Sequence, residues 1–232
     1  MNNMPRLAHE QKLVMEINPK SRISESFRTL RTNIRFARWE NPVRTLLITS
    51  AVPGEGKTTT AANLAVSYAH EGKKVLLVDA DLRKPSLHLM FGQTNLYGLT
   101  NLLTNERPDQ EAIRESYIPN LSLVPSGTIP PNPAEILSSS RLDSLLEEWK
   151  RQFDIVIFDS PPTLAITDGL VVATRCDGVI LVVQAGKVKL EQVRKAKMNL
   201  ELVKSTVLGV VLNHVRRSKT TQANLQYYET DE

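Results

Sequence analysis

Apolar residues along this chain fall into two kinds of run. The first kind is short, nearly continuous and rich in Val, Ile and Leu: Val43–Thr49, Lys74–Asp79, Leu121–Pro125, Asp154–Asp159, Gly178–Gln184 and Val207–Asn213. Runs of that length without polar alternation predict strands covered on both faces. The second kind repeats with helical spacing, over Ala61–Ala69, Arg141–Arg151 and Lys189–Lys204, while residues 86–118 read as short helices and loops. Strands alternating with helices predict an α/β fold with a mostly parallel sheet and helices on both faces. Before the first strand, Phe27, Leu30, Ile34 and Ala37 form a helical stripe after a possible cap at Ser24, and Glu25, Arg28, Arg31, Arg35 and Arg38 occupy the other face. That charged face reads either as a solvated surface or as a docking surface for an acidic patch. The pattern divides the chain into a mobile N-terminal arm (1–22), one folded domain (23–214) and a flexible polar tail (215–232).

Composition narrows the picture. With 41% hydrophobic residues in 232, the chain can bury a sizeable core. Its net charge of +4 permits an anionic partner without calling for nucleic acid, and none is expected. The single cysteine, Cys176, allows no internal disulfide and reads as a small core residue rather than a nucleophile. No apolar run approaches the ~18 residues that suggest a membrane-spanning helix, and the first residues lack the apolar core of a secretory signal.

The chemistry concentrates after the first strand, in Ala51-Val52-Pro53-Gly54-Glu55-Gly56-Lys57-Thr58-Thr59. This matches the P-loop pattern with Ala51 in place of the first glycine. Gly54 and Gly56 let backbone N–H groups turn inward toward phosphate oxygens, and a helix starting near Lys57 adds its positive end. Pro53, Gly54, Glu55, Gly56, Lys57, Thr58 and Thr59 are therefore the expected nucleotide-binding residues. Lys57 would charge-stabilise the β- and γ-phosphates, and Thr58 would ligate Mg²⁺. Asp79 and Asp81 follow the second strand two residues apart, and Asp159 closes the fourth in a Walker B arrangement. All three are candidate metal ligands beside Thr58. Arg83 and Lys84 either reach phosphate or lie exposed. Ligands of such sheets bind at the carboxyl ends of the strands, where Lys57, Asp79, Asp81 and Asp159 all fall. A guanine-specifying N-K-x-D is missing from the strand ends, and Asn213 either meets an adenine edge or closes a turn.

These segments, with Phe158-Asp159-Ser160-Pro161-Pro162, the proline loop Ile129–Pro133 and Glu25-Ser26-Phe27-Arg28-Thr29-Leu30-Arg31, resemble the bacterial protein-tyrosine kinases of capsule and exopolysaccharide production. The resemblance spans about residues 22–214 and implies a P-loop ATPase fold that uses ATP and Mg²⁺. It implies autophosphorylation of a C-terminal tyrosine cluster, here Tyr227 and Tyr228, between subunits of a ring, an octamer being expected. Glu25, Arg28 and Arg31 match its subunit-contact motif. It further implies activation by the cytoplasmic tail of a membrane adaptor, other protein substrates bearing tyrosine, and a cognate phosphotyrosine phosphatase. Lacking a membrane span, the chain is similar to the separate-adaptor type of Gram-positive bacteria, a cytoplasmic protein recruited to the inner face of the membrane.

Phosphoryl transfer would rest on positioning and electrostatics by Lys57 and the metal, with Asp79 or Asp81 accepting the tyrosine proton; Asp79 is favoured. About fifteen residues separate Asn213 from the tyrosines, a flexible span of about 20 Å. Two alternatives stand beside the kinase. One is a partition- or division-type switch ATPase, which Val52 counts against because those proteins carry a lysine there. The other is a non-catalytic nucleotide-dependent assembly scaffold, which would not need the aspartates together with tail tyrosines. Related iron-protein reductases need more cysteines than Cys176.

Overall fold

A computed structural model describes residues 13–104 and 111–215. It begins with a one-turn helix, α1 (Val14–Ile17), and the long α2 (Arg22–Ala37), then β1 (Thr45–Ser50), α3 (Lys57–His70) and β2 (Val75–Asp79). Short elements follow: α4 (Leu87–Met90), α5 (Leu99–Thr104), β3 (Arg114–Glu115), β4 (Leu121–Val124) and α6 (Pro133–Leu137). The rest alternates regularly through α7 (Ser140–Gln152), β5 (Ile155–Asp159), α8 (Asp168–Ala173), β6 (Gly178–Gln184), α9 (Leu190–Leu202) and β7 (Val207–Asn213). The strands form one sheet in the order β3-β4-β2-β5-β1-β6-β7, parallel except for β3 against β4. This is the expected α/β fold, with one strand more than expected.

The central strands are buried along their whole length because both faces are covered. Successive side chains of a strand point to opposite faces. Leu47, Leu76 and Phe158 accordingly join Trp149 of α7 and Leu200 of α9 in one core. Leu46, Ile48 and Leu77 join Leu64 of α3 and Ile34 of α2 in the other. Ten successive residues of α3, Thr60–Ala69, are buried, since the helix packs against strands on one side and α2 on the other. Its small side chains permit that close packing.

The structure departs from the sequence reading at the N-terminus. Residues 13–22, expected to belong to a mobile arm, are docked. Leu13 and Met15 are fully buried, and the Met15 N–H donates to Asn63 Oδ1 of α3 at 3.0 Å. The cap of α2 is Ser21, whose hydroxyl accepts from the Ser24 N–H at 3.1 Å. Ser24 is instead buried inside the helix and donates to the Asn18 carbonyl at 2.7 Å. Of the expected stripe, Ile34 is buried and Phe27 and Leu30 are half-buried, while Ala37 is exposed at the helix end. Strand β3 was not expected: two polar residues on an edge carry no periodicity to read. No helix among the described residues is long and apolar enough to cross a membrane.

Candidate active site

The loop between β1 and α3 turns through two left-handed glycines, Gly54 (φ 81°) and Gly56 (φ 91°). Both conformations penalise any side chain. At Gly56 the packing does too, because a Cβ there would lie 2.2 Å from Asn213 Nδ2. The Gly56 carbonyl accepts from the Thr60 N–H at 2.9 Å, which starts α3 and leaves the helix's first N–H groups facing the loop. A cavity of about 870 Å³ opens there, at the carboxyl ends of β1, β2, β5 and β7. It is lined by Pro53, Gly54, Gly56, Lys57, Thr58, Thr59, Asp81 and Asn213 among the expected residues. Arg83, Lys84, Ser86, Pro161, Pro162, Ala165, Ile166 and His214 complete it. A second cavity, about 550 Å³, opens elsewhere, around Trp39, Tyr68 and Arg44, and contains none of the P-loop.

Lys57 is the electrostatic centre of the first cavity. Its ammonium lies 3.1 Å from Asp81 and 3.8 Å from Asp159, with only 13% of the side chain exposed. Burial works to lower its pKa, but attraction to Asp159, Asp81 and Asp79 prevails and holds the group above its ordinary value. Asp79 and Asp159 sit at the same register on neighbouring strands β2 and β5, so two buried carboxylates stand side by side. Burial first, and then Asp159, push the Asp79 carboxyl up to about 7. Burial likewise raises Asp159, against the pull of Lys57.

The three aspartates have different surroundings. Asp79 is sealed by backbone donors: Asp81 N at 3.1 Å, Ser86 N at 3.2 Å and Leu87 N at 3.0 Å. Asp81 lies beyond the end of β2, lines the cavity, and accepts from Lys57 and from the Lys84 N–H at 3.0 Å. Both Asp159 oxygens are buried without a hydrogen-bond partner among the described residues. A buried carboxylate left so is costly, and it suits a site completed by a cation. The Thr58 hydroxyl makes long contacts, 3.5 Å each to Lys57 Nζ and Ser86 Oγ, and lies beside the Asp159 carboxylate, so the two can share a ligand. Mg²⁺ typically takes one or two carboxylates and completes its shell with water and phosphate oxygens. Thr58 and Asp159 fit that demand. Among the described residues no group of three or more His, Cys, Asp or Glu side chains forms a protein-only cage, and this ion does not require one.

Two of the expected nucleotide-contact residues also hold the loop together. The Glu55 side chain is fully buried and does not line the cavity. Its carboxylate accepts from the Val52 N–H at 2.7 Å and from the Gln184 N–H of β6 at 3.0 Å. It braces the loop, and only its backbone remains to meet a phosphate. The Asn213 amide donates to the Glu55 carbonyl at 2.9 Å and accepts from the His214 N–H at 2.9 Å, so it buttresses the same loop from β7. Arg83 makes a bidentate pair with buried Asp168, at 2.7 and 3.1 Å. Cys176 packs against the core, and burial pushes its thiol pKa well up, so it stays protonated and unreactive.

In the expected subunit-contact motif, Arg28 pairs with Glu25 at 2.8 Å and donates to the Pro19 carbonyl at 2.7 Å. Arg31 turns inward to the Ser67 carbonyl and to Glu71 at 3.4 Å, tying α2 to α3. Tyr227 and Tyr228 lie outside the described residues.

A family model described as an AAA domain matches residues 43–210. The chain is 45% identical over 221 residues to tyrosine-protein kinase YwqD of Bacillus subtilis, covering 95% of this chain and 92% of that one. It is 38% identical over 217 residues to the putative tyrosine-protein kinase CapB of Staphylococcus aureus, covering 94% and 95%. Among solved structures, the chimerical protein CapA2B2 aligns with a TM-score of 0.86 at 40% identity, over 89% of this chain and 91% of that one. The septum site-determining protein MinD from Pyrococcus horikoshii, complexed with Mg-ADP, aligns with a TM-score of 0.65 at 28% identity, over 76% and 72%.

Proposed function

The chain belongs to the bacterial tyrosine-protein kinases, and from that premise we propose that it transfers the γ-phosphoryl group of Mg·ATP to Tyr227 and Tyr228 of a neighbouring copy. Identity of 45% to a tyrosine-protein kinase across 95% of the chain carries this reading. The geometry around Lys57 supports it. The P-loop backbone and the N-terminus of α3 bind the phosphates, and Lys57 draws charge from the β- and γ-oxygens. Thr58 and Asp159 hold Mg²⁺, which when bound supplies further neutralisation of the phosphate charge. The Mg-ADP complex of the MinD relative supports that cofactor.

Asp79 accepts the tyrosine proton. A carboxyl pushed to about 7 is matched to that task near neutral pH. The 81–87 turn, whose N–H groups close over Asp79, must lift for a phenol to reach it. Asp81 meanwhile orients Lys57. In this reading the kinase regulates capsular or exopolysaccharide biosynthesis, assembles as a ring, and is recruited to the inner membrane face by a separate adaptor. That a solved relative is a chimerical protein, CapA2B2, supports a system of two components.

The test mixes two variants in labelled ATP and Mg²⁺. One carries Lys57→Met with an intact tail, its fold checked by circular dichroism. The other carries Tyr227→Phe and Tyr228→Phe with an intact site. Transfer between subunits labels the tail of the first chain. If the mixture stays unlabelled while wild type labels at the same concentration, transfer in trans is wrong.

A further inference from the structure

The turn after β6 is built against the P-loop. The Gln184 N–H is held by Glu55, and the Ala185 N–H donates to the Asn213 carbonyl at 2.9 Å. Lys187 N–H closes back on the Gln184 carbonyl at 3.3 Å around Gly186, whose φ of 71° makes the reversal possible. Lys187 thus stands on a short, pinned turn rather than on a free loop. Its side chain lies over the phosphate-binding loop: a Cβ placed on Gly54 would be 3.5 Å from Lys187 Nζ. No carboxylate or other partner holds this ammonium among the described residues. Beneath the turn is a cavity of about 640 Å³ that shares His214 with the P-loop cavity.

Between Ala51 and Thr58 the loop carries one cation, Lys57, and its charge is already shared with Asp81 and Asp159. A polyphosphate entering there needs more positive charge than that residue leaves over. Lys84 on the opposite wall of that cavity has no ion pair among the described residues either, but it stands beyond β2 beside Asp81, whereas the exposed ammonium of Lys187 lies directly over the P-loop backbone at Gly54 with its charge unspent. We propose that Lys187 is a second phosphate-binding cation, closing over the nucleotide from the β6–α9 turn. This rests on the nucleotide-site reading above and adds a residue to it. Because Lys187 acts in binding and touches no acceptor group, its contribution appears in affinity with or without phosphoryl transfer.

The experiment is equilibrium binding of a fluorescent, non-transferable ATP analogue to the full chain. Lys187→Met should weaken binding about three- to tenfold, as expected for a charge-assisted contact at a solvent-exposed position. The loss should shrink at high salt, and Lys187→Arg should recover most of it. Lys195→Met, which removes an exposed lysine from α9, serves as the control for net charge and should bind like wild type. Equal affinity of Lys187→Met and wild type overturns the proposal. So does an equal loss in Lys195→Met, which would make the effect one of overall charge. Failure of wild type to bind the analogue would instead overturn the nucleotide site itself, and this proposal with it.

Discussion

Glu55→Ala is expected to destabilise the protein more than a loop substitution ordinarily does. The carboxylate is fully buried and accepts two backbone N–H groups from separate segments, Val52 in the P-loop and Gln184 at the end of β6. Its removal leaves both part-buried donors unmet, at about 1–3 kcal/mol each, partly offset by their access to water and because a charge no longer has to be buried. The net loss is about 2–4 kcal/mol. In a domain near this size, each kcal/mol moves the melting temperature by about 2–4 °C, so a fall of about 4–16 °C is expected. Glu55→Gln keeps one acceptor oxygen but turns an amide N–H toward the other donor, and should lose about half as much. Thermal unfolding followed by circular dichroism reads both variants, and fluorescent-nucleotide binding reads the loosening of the loop. If Glu55→Ala melts within about 1 °C of wild type, a fraction of what one such hydrogen bond is worth, the side chain is no brace.

Two further outcomes are expected. The folded-state pKa of Asp79 is raised to about 7 from 3.8. Folding therefore takes up a proton in that window, so stability from this group is full below about pH 4 and is lost as pH rises through about 7. Urea unfolding of the nucleotide-free protein should show that decline, and Asp79→Asn should flatten it; an unchanged slope in the variant refutes the assignment. In α2, Arg31→Ala should lower the melting temperature because it cuts the tie to Ser67 and Glu71, whereas Arg28→Ala should leave it within about 1 °C, given the small worth of surface pairs. If the Glu25–Arg28 pair serves subunit contact, light scattering should show weaker assembly in Arg28→Ala at unchanged stability; unaltered assembly makes it a solvated pair.

The strands were legible because parallel strands between two helical layers must be apolar on both faces, and that leaves a continuous run. The P-loop was legible because its glycines answer a backbone demand that no other residue meets cheaply. What stayed hidden depends on contacts between distant segments. The docking of Leu13 and Met15 needs Asn63, forty-eight residues after Met15, to accept a backbone proton. Glu55 looked like one more loop residue, and nothing at its position announces that Gln184, 129 residues later, would donate to it. Sequence grouped Asp79, Asp81 and Asp159 as one cluster. Only the register of β2 against β5 and the fold of the 81–87 turn separate a carboxylate sealed by backbone donors, a cavity-lining one, and a buried one that faces Lys57 at 3.8 Å without a close hydrogen bond. Lys187 had a single local signal, the glycine before it.

The brace at Glu55 also bears on how this motif can be transplanted. A strand, a glycine loop and a helix look like a cassette that could be moved into another α/β scaffold. Here the cassette is incomplete, because its loop is held by the ends of β6 and β7 through Gln184 and Asn213. A graft carrying residues 45–70 alone would bring a buried carboxylate with one of its two donors missing. A chimera would keep its shape only if the recipient offers a backbone N–H and a side-chain amide in those places, or if all three segments travel together.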